Sequence, residues 1–404
     1  MDPLSLIAFL PPSPPLHAEI EEEEYENSMM DERVWSRLPE EVLERILAAM
    51  PVPSILRLRS VCKAWNSLLA SKKFTDFWLQ HFKSRTPCYL MPAFLIRDTL
   101  TVSFYNPALN VWHQLLMPEF SWGEAQNLRN LTPSAAELVA SDGGLLLFRF
   151  GSLRMPQVYV VCNPMTGKWK CLPRIVQTTG RHSFIGIGTD SASNTYKVVI
   201  SGNQSDASDL TTKVYGSSTD SWMGCDSALP HGSHQSGVVC NGNLYLVGKD
   251  PAKVVAFDFQ LGVWTEIQPP IPDRIIRPYL FERHGQLMIV GGVDNIWTRT
   301  RLPNPESIGL WKLDQALKAW VEVERLPKLL CEEFRKWINF DSFRCIGQHD
   351  ILYLTCTNHG RDVMAYDISN RTWKWLPESP RLVDYHGRPR WRPLPFEPSP
   401  FASL

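Results

Sequence analysis

The sequence predicts a small all-α module of three helices followed by an all-β propeller of six blades. Three observations lead there. Helical spacing of apolar residues is confined to the chain before residue 85. Downstream, a tryptophan recurs six times at one fixed offset from a turn. And 32 prolines in 404 residues argue against a mainly helical protein, because proline removes a helix hydrogen bond and clashes with the preceding turn. This length carries a prior of two or three domains. With 44% hydrophobic and 21% charged residues, the chain can bury a sizeable core.

The net charge of -1 is unevenly spread. Nine of the 42 acidic residues lie in 1–32, which holds no Lys or Arg, so the remainder carries 41 basic against 33 acidic residues. Residues 1–32 begin Pro-rich and turn acidic at Glu19, Glu21–Glu24 and Glu26. Like charges repel and little is available to bury, so this stretch reads as a disordered tail. A chain so near neutrality is not expected to bind nucleic acid through bulk charge. No apolar run approaches the ~20 residues of a spanning helix. The Leu4–Leu10 stretch lacks a basic flank and runs into Pro11 and Pro12, a poor fit to a secretory signal. The nine cysteines form no CxxC pair, so reduced thiols in the nucleus or cytoplasm are expected.

The helical module spans 33–84. Pro39 is expected to open the first helix, where no N–H donor is needed, and Glu40 and Glu41 suit the positive end of its dipole. Val42, Leu43, Ile46, Leu47 and Met50 share one face; Pro51 and Pro53 stop the helix. Ser54 is the expected N-cap of a second helix, with Leu58, Val61, Cys62, Trp65, Leu68 and Leu69 as its stripe. Ser71 would cap a third, carrying Phe74, Phe77, Trp78 and Phe82. A unit of about 50 residues buries only part of what its chain exposes. The rest of its apolar surface is left for a partner, or for the remainder of the same chain.

The run Leu38-Pro39-Glu40-Glu41-Val42-Leu43-Glu44-Arg45-Ile46-Leu47, followed by Leu58-Arg59-Ser60-Val61-Cys62-Lys63-Ala64-Trp65, resembles an F-box. The resemblance implies docking onto the Skp adaptor, and through it cullin, of a ubiquitin ligase. Carried over by position, Leu38, Pro39, Ile46, Leu47, Val61, Cys62 and Trp65 are adaptor-facing or module-core residues; the sequence does not separate those roles. The physical mode implied is an apolar helix face in a partner groove.

The propeller is expected over 88–402. Its mark is Trp112, Trp169, Trp222, Trp264, Trp320 and Trp373. Seven residues before each stands Tyr105, Cys162, Tyr215, Phe257, Leu313 or Tyr366, and six before stands Asn106, Asn163, Gly216, Asp258, Asp314 or Asp367. Asn, Asp and Gly start turns, through a side-chain oxygen bonding back to the backbone or through free dihedrals. Each unit is therefore a β-hairpin with an inward aromatic, often followed by a Leu-Pro stop as at Leu172-Pro173, Leu326-Pro327 and Leu376-Pro377. Further strands lie upstream, such as Leu145–Phe148, Tyr196–Ile200, Leu244–Val247, Leu287–Val290 and Ile351–Leu354. Four strands per ~50 residues is the kelch period, and six such sheets arranged radially make a propeller. The first blade lacks room for its first strand, so residues 391–402 are expected to return, supply it and close the ring.

This part resembles kelch repeats, with a complete diglycine at Gly291-Gly292 and a departure at Gly216, where the family has Asp or Asn. The segment Leu310-Trp311-Lys312-Leu313-Asp314, then Ala319-Trp320-Val321-Glu322-Val323-Glu324-Arg325-Leu326-Pro327, is similar to plant F-box/kelch proteins, nearest the floral-organ-identity and leaf-curling type.

Target binding is expected on the loops joining second to third strands, because variable loops on a rigid scaffold carry recognition. They hold Arg154, Lys249, Trp297, Arg299, Arg301 and Arg361. No phosphate loop, dinucleotide fingerprint or HExxH motif occurs, and no metal or cofactor is expected. The expected role is non-catalytic: the substrate-recognition subunit of a Skp–cullin–F-box ligase, whose target the sequence does not name. An F-box scaffold or transcriptional cofactor without target turnover, and an oxidase-like propeller enzyme, are the alternatives.

Overall fold

The computed structural model describes residues 37–50, 55, 58, 61–69, 71–82, 88–90, 94–96, 99–107, 110–116, 136–151, 157–164, 166, 168–175, 182–190, 192–203, 210–230, 237–248, 253–272, 275–293, 307–337, 343–356, 363–378, 394–399, 402 and 404. Helix α1 is Glu40–Ala49, α2 is Lys63–Leu69 and α3 is Lys72–Phe82. Pro39 precedes α1 rather than opening it: its ψ of 140° is extended, and its carbonyl accepts the N–H groups of Val42 and Leu43 at 3.0 and 3.1 Å. Ser71 caps α3, its hydroxyl accepting the Phe74 N–H at 3.1 Å. The expected second helix is interrupted. Ile55 and Leu58 are helical, Val61 sits in a turn whose N–H reaches only back to Leu58 O at 3.1 Å, and α2 begins after Cys62. The Cys62 sulfur accepts the Trp65 N–H at 3.4 Å, taking the capping place of a hydroxyl. The apolar spacing is the same with or without the break, so periodicity could not reveal it. The expected Ser54 cap lies outside the described residues.

The β region opens with β1 (Cys88–Leu90), β2 (Phe94–Ile96), β3 (Thr99–Asn106) and β4 (Val111–Leu116). Three antiparallel four-stranded meanders follow: β5 (Ala136–Asp142) to β8 (Lys168–Cys171), β9 (His182–Asp190) to β12 (Ser221–Cys225), and β13 (Val238–Cys240) to β16 (Val263–Glu266). Two more run from β17 (Ile275–Arg283) to β20 (Ala319–Arg325) and from β21 (Phe343–Gln348) to β24 (Thr372–Trp375). They join into one eight-stranded sheet through a single parallel bridge, Glu282 to Gln348. In the first sheet β3 pairs with β4 on one side and with β1 and β2 on the other. The C-terminal β25 (Leu394–Phe396) pairs with β1, Cys88 opposite Phe396 and Leu90 opposite Leu394. First strands lie beside one another: β25 by β5, β5 by β9, β13 by β17, β17 by β21 and β21 by β25, with β9 touching β14 (Asn243–Val247). The domain is propeller-like and, among the described residues, all-β but for one element. Helix α4 (Lys328–Trp337) follows Pro327, whose carbonyl accepts the Cys331 N–H at 3.1 Å. The Leu-Pro pair before it reads only as a strand stop, which is why the sequence pattern hid this helix.

The seven-residue offset is a register. Tyr105 lies directly opposite Trp112, Cys162 opposite Trp169, Tyr215 opposite Trp222, Phe257 opposite Trp264, Leu313 opposite Trp320 and Tyr366 opposite Trp373. The turn between them begins as an Asx turn: Asp258 Oδ1 accepts the N–H groups of Gln260 and Leu261, and Asp314 Oδ1 those of Ala316 and Leu317. It ends left-handed, at Asn110, Asp220, Gly262, Lys318 and Arg371 with φ between 47° and 69°. Strands one and two meet through tighter turns, such as Asn241-Gly242 and His284-Gly285, with positive φ at both residues, the twist that suits a hairpin.

Among the described residues there is no single core. Each sheet is apolar on both faces and shares an apolar cluster with each neighbour. Along β6 (Leu145–Phe150), Leu146 and Phe148 belong to one cluster with Phe104 and Phe396, while Leu145 and Leu147 belong to the next with Tyr196 and Tyr215. That is why such strands read as continuous apolar runs rather than alternating ones. Indole N–H groups stitch the seams. Trp222 donates to Pro173 O at 2.7 Å, Trp320 to Pro269 O at 3.2 Å and Trp112 to Pro377 O at 2.8 Å, each reaching the end of the preceding sheet. Trp264 donates instead to Thr212 Oγ1 at 2.9 Å, which also bonds Ser201. Lysines answer from the other side: Lys170 pairs with Asp220 at 3.0 Å, and Lys374 bonds Asn110 at 3.0 Å while lying over the Tyr105 ring.

Trp112→Phe keeps an aromatic ring and removes the donor to Pro377. It should lower unfolding free energy by about 1–3 kcal/mol, the cost of a carbonyl left without its partner, read as a shifted urea midpoint with unchanged slope.

Candidate docking surfaces

In the helical module, the apolar stripes of α1 and α3 meet. Leu47, Ala48, Ile55, Leu69, Phe74 and Trp78 are buried, and their cluster continues into Phe104, Leu138 and Phe396 of the β region. Glu44 faces the same interior and is paired with Lys73 of α3 at 3.0 Å; that hydrogen bond raises the Lys73 pKa. Part of what remains outside is apolar as well. Val61 is 59% and Val42 41% exposed, and Pro39 and Cys62 are exposed beside them in sequence. Leu38, Ile46 and Trp65 are half-buried. The structure thus sorts the seven positions picked from sequence. Leu47 is wholly inside and packs the module, while Pro39, Val61 and Cys62 present surface. Val42, exposed and outside that set, was missed because it falls on the same helical stripe as the core.

The β region has a second concave feature, a cavity of about 310 Å³ lined by β5, β9, β13, β17, β21 and β25. Its waist is apolar or small, with Gly186, Gly237, Ile346 and Leu394. Polar residues gather where the first strands end: Asp142, Asn241, Glu282, Gln348, His349 and Glu397. A hollow of about 460 Å³ adjoins it between β13–β16 and β17–β20 and shares Cys240, Asn241 and Gly285 with it. Asp142 Oδ2 accepts the N–H and hydroxyl of Thr189, both at 2.7 Å. Glu282 Oε1 accepts the Gly285 N–H, and Oε2 lies 3.6 Å from His349 Nδ1. Beside them Asp350 binds Arg283 at 2.7 Å and His284 at 2.8 Å, and the His284 and His349 rings stack at 5.7 Å. Burial alone would raise the Asp350 pKa, but the hydrogen bonds from His284, Arg283 and Ser369 outweigh it and hold the carboxyl below its usual value.

Of the repeat tryptophans, Trp112, Trp264 and Trp320 are buried, and Trp169, Trp222 and Trp373 half-buried. The expected target-binding residues Arg154, Lys249, Trp297, Arg299, Arg301 and Arg361 lie outside the described residues. Among the described residues no group of three or more His, Cys, Asp or Glu side chains is placed to hold a metal, and no helix is long and apolar enough to cross a membrane.

Comparison with known proteins gives two family matches. Residues 121–374 match the F-box associated beta propeller domain, and residues 35–77 match the F-box domain. An F-box/kelch-repeat protein of Arabidopsis thaliana is 27% identical over 377 residues, covering 88% of this chain and 85% of that one. Protein UNUSUAL FLORAL ORGANS of the same plant is 27% identical, covering 87% and 80%. SKP1-interacting partner 15, also from Arabidopsis thaliana, is 24% identical, covering 86% and 94%.

Ionisation of Asp350 contributes stability above the ordinary carboxylate pKa of ~3.9, because its folded value is the lower one. That contribution is lost as pH falls through the folded value. The stability gap between wild type and Asp350→Asn should therefore be widest above about pH 5 and close as the solution is acidified below about pH 4, as measured by urea unfolding at each pH.

Proposed function

The chain belongs to the F-box associated beta propeller family, and from that premise we propose that it is the substrate-recognition subunit of a Skp–cullin–F-box ubiquitin ligase. The observation that carries this reading is that Pro39, Val42, Val61 and Cys62 are exposed on a module whose own core is already filled. An adaptor groove that covers Val61 stabilises the complex by about 1 kcal/mol for that side chain alone. Leu38, Ile46 and Trp65 are half-buried and contribute their exposed parts. The name of one relative, SKP1-interacting partner 15, agrees in kind.

In this role the chain makes and breaks no bonds. It holds a target beside the enzyme that delivers ubiquitin, raising its effective concentration there. The proposed division is a tail over 1–32, the F-box over 33–84 and a six-bladed propeller over 88–402. The circuit of neighbouring first strands supports six blades. The β1–β25 ladder and the Trp112–Pro377 bond support closure by the C-terminal segment. The target surface proposed here is the set of loops between second and third strands, with Arg154, Lys249, Trp297, Arg299, Arg301 and Arg361. Nucleus and cytoplasm are the proposed compartments, since both hold that machinery.

Two experiments test the reading. Val42→Glu with Val61→Glu changes only exposed side chains, so the double variant should keep the wild-type melting temperature and lose Skp adaptor and cullin in affinity purification. Recovery of neither partner by wild type, or of both by the variant, sinks the ligase role. Deleting residues 388–404 removes β25 and should lower the melting temperature by several degrees, on the order of a few kcal/mol. An unchanged melting curve rejects closure and leaves the ligase role standing.

A further inference from the structure

We propose that the chain after β25 is a strap, held by Asn163 across the second sheet (β5–β8), that locks the C-terminal strand in place and opens on its own while the sheets stay folded. β25 pairs with β1 and lies beside β5, and Ser141 of β5 donates its hydroxyl to Pro395 O. The chain then leaves the ladder. Ser399 passes over the β5–β6 turn, where a Cβ on Gly144 would come within 2.5 Å of the Ser399 Cβ. With φ at 87°, that turn position is left-handed and suits glycine, which also leaves the space Ser399 needs. Asn163, the last residue of β7 (Val158–Asn163), donates through Nδ2 to two main-chain carbonyls of the strap, Ser399 O at 2.9 Å and Ala402 O at 3.0 Å. Ala402 and Leu404 pack against the apolar cluster shared by the second and third sheets, which contains Leu145, Tyr159 and Tyr196.

The residue type at 163 singles out this contact. Asn163 starts the β7–β8 turn, and its Oδ1 accepts the N–H of Thr166, three residues on, at 3.3 Å. Asp258, Asp314 and Asp367 do the same at the equivalent place in their own sheets, accepting from Leu261, Leu317 and Asn370. A carboxylate therefore serves the turn as well as an amide does. Only the amide adds an NH₂ group with two donors, and here that group bonds the strap. The three aspartates are partly exposed, whereas Asn163 is fully buried, where an amide needs partners. The hold is slight beside that of a paired strand, since it rests chiefly on one amide and on two half-buried side chains. Segments fixed by so few contacts open at a lower free energy than the core does. The strap builds on β25 as the closing strand proposed above, and concerns only the residues that follow it.

The test is carboxypeptidase digestion of the native 404-residue chain, with release of Leu404 read by intact mass. Cleavage tracks the population of the open form, so wild type should lose Leu404 at least about tenfold more slowly than a free peptide of residues 394–404. Asn163→Asp keeps the turn acceptor and sets a carboxylate oxygen against two carbonyls. It should raise the rate by about tenfold or more, as the loss of those hydrogen bonds requires. Asp258→Asn, the reverse exchange at a turn of the fourth sheet, should not change it. The near-UV circular dichroism of wild type should stay constant while Leu404 is removed. Release from wild type as fast as from the peptide, an unchanged rate in Asn163→Asp, or loss of the dichroism signal along with Leu404 overturns the proposal. If Asn163→Asp does not fold, Ala402→Arg, which alters the strap alone, decides by the same rate. Deletion of 388–404 tests β25 through the melting temperature, whereas these rates report the strap, so the two proposals fail separately.

Discussion

The bond from an indole N–H to a carbonyl at the end of the preceding sheet sets the geometry of the β region. A propeller has no common centre in which all its sheets can bury side chains, so each must be fixed to its neighbours alone. Apolar contact holds two sheets together but leaves them free to slide, since dispersion and burial have no direction. The Trp222–Pro173, Trp320–Pro269 and Trp112–Pro377 bonds supply that direction. Proline is a fitting terminus: without an N–H of its own it ends the ladder, and its carbonyl is left pointing outward for the next sheet. The Trp112–Pro377 seam joins residues 265 apart in sequence with the chemistry used between sequential sheets.

The same constraint shapes the helical module. Three short helices cannot enclose all their apolar side chains, and here the surplus goes two ways. Part of it continues into the cluster containing Phe104, Leu138 and Phe396, so the module is anchored to the first two sheets. The rest, at Val42 and Val61, remains in water. The break at Cys62 leaves Val61 in the turn before α2 rather than within that helix.

Much of this was legible in sequence, for a physical reason. The Tyr105–Trp112 type of pair is a local register, fixed by the length of one turn, and a fixed offset along the chain records it. Burial on both faces is recorded too, as unbroken apolar runs in β6 and in β7 (Val158–Asn163). What was not legible is what lies far apart along the chain. Leu172-Pro173 looks like a strand stop, and nothing near it announces that Trp222 will bond its carbonyl. Val42 and Leu47 are both apolar residues of α1, and only the placement of α3 makes Leu47 core and leaves Val42 exposed. Asp142, His284 and His349 stand beside the turns that join first to second strands. The meeting of Asp142 and His349 at one cavity mouth depends on the radial order of sheets, which local spacing does not encode.

This separation of local from radial has a consequence for how such a protein can change its partners. The positions that fix the sheets to one another are the strand residues of the Tyr–Trp register, the carbonyls they reach and the left-handed turn residues. The side chains around the cavity mouth sit at the ends of first strands, apart from those seams, so replacing one of them by a residue of similar shape changes the mouth and leaves the seams intact.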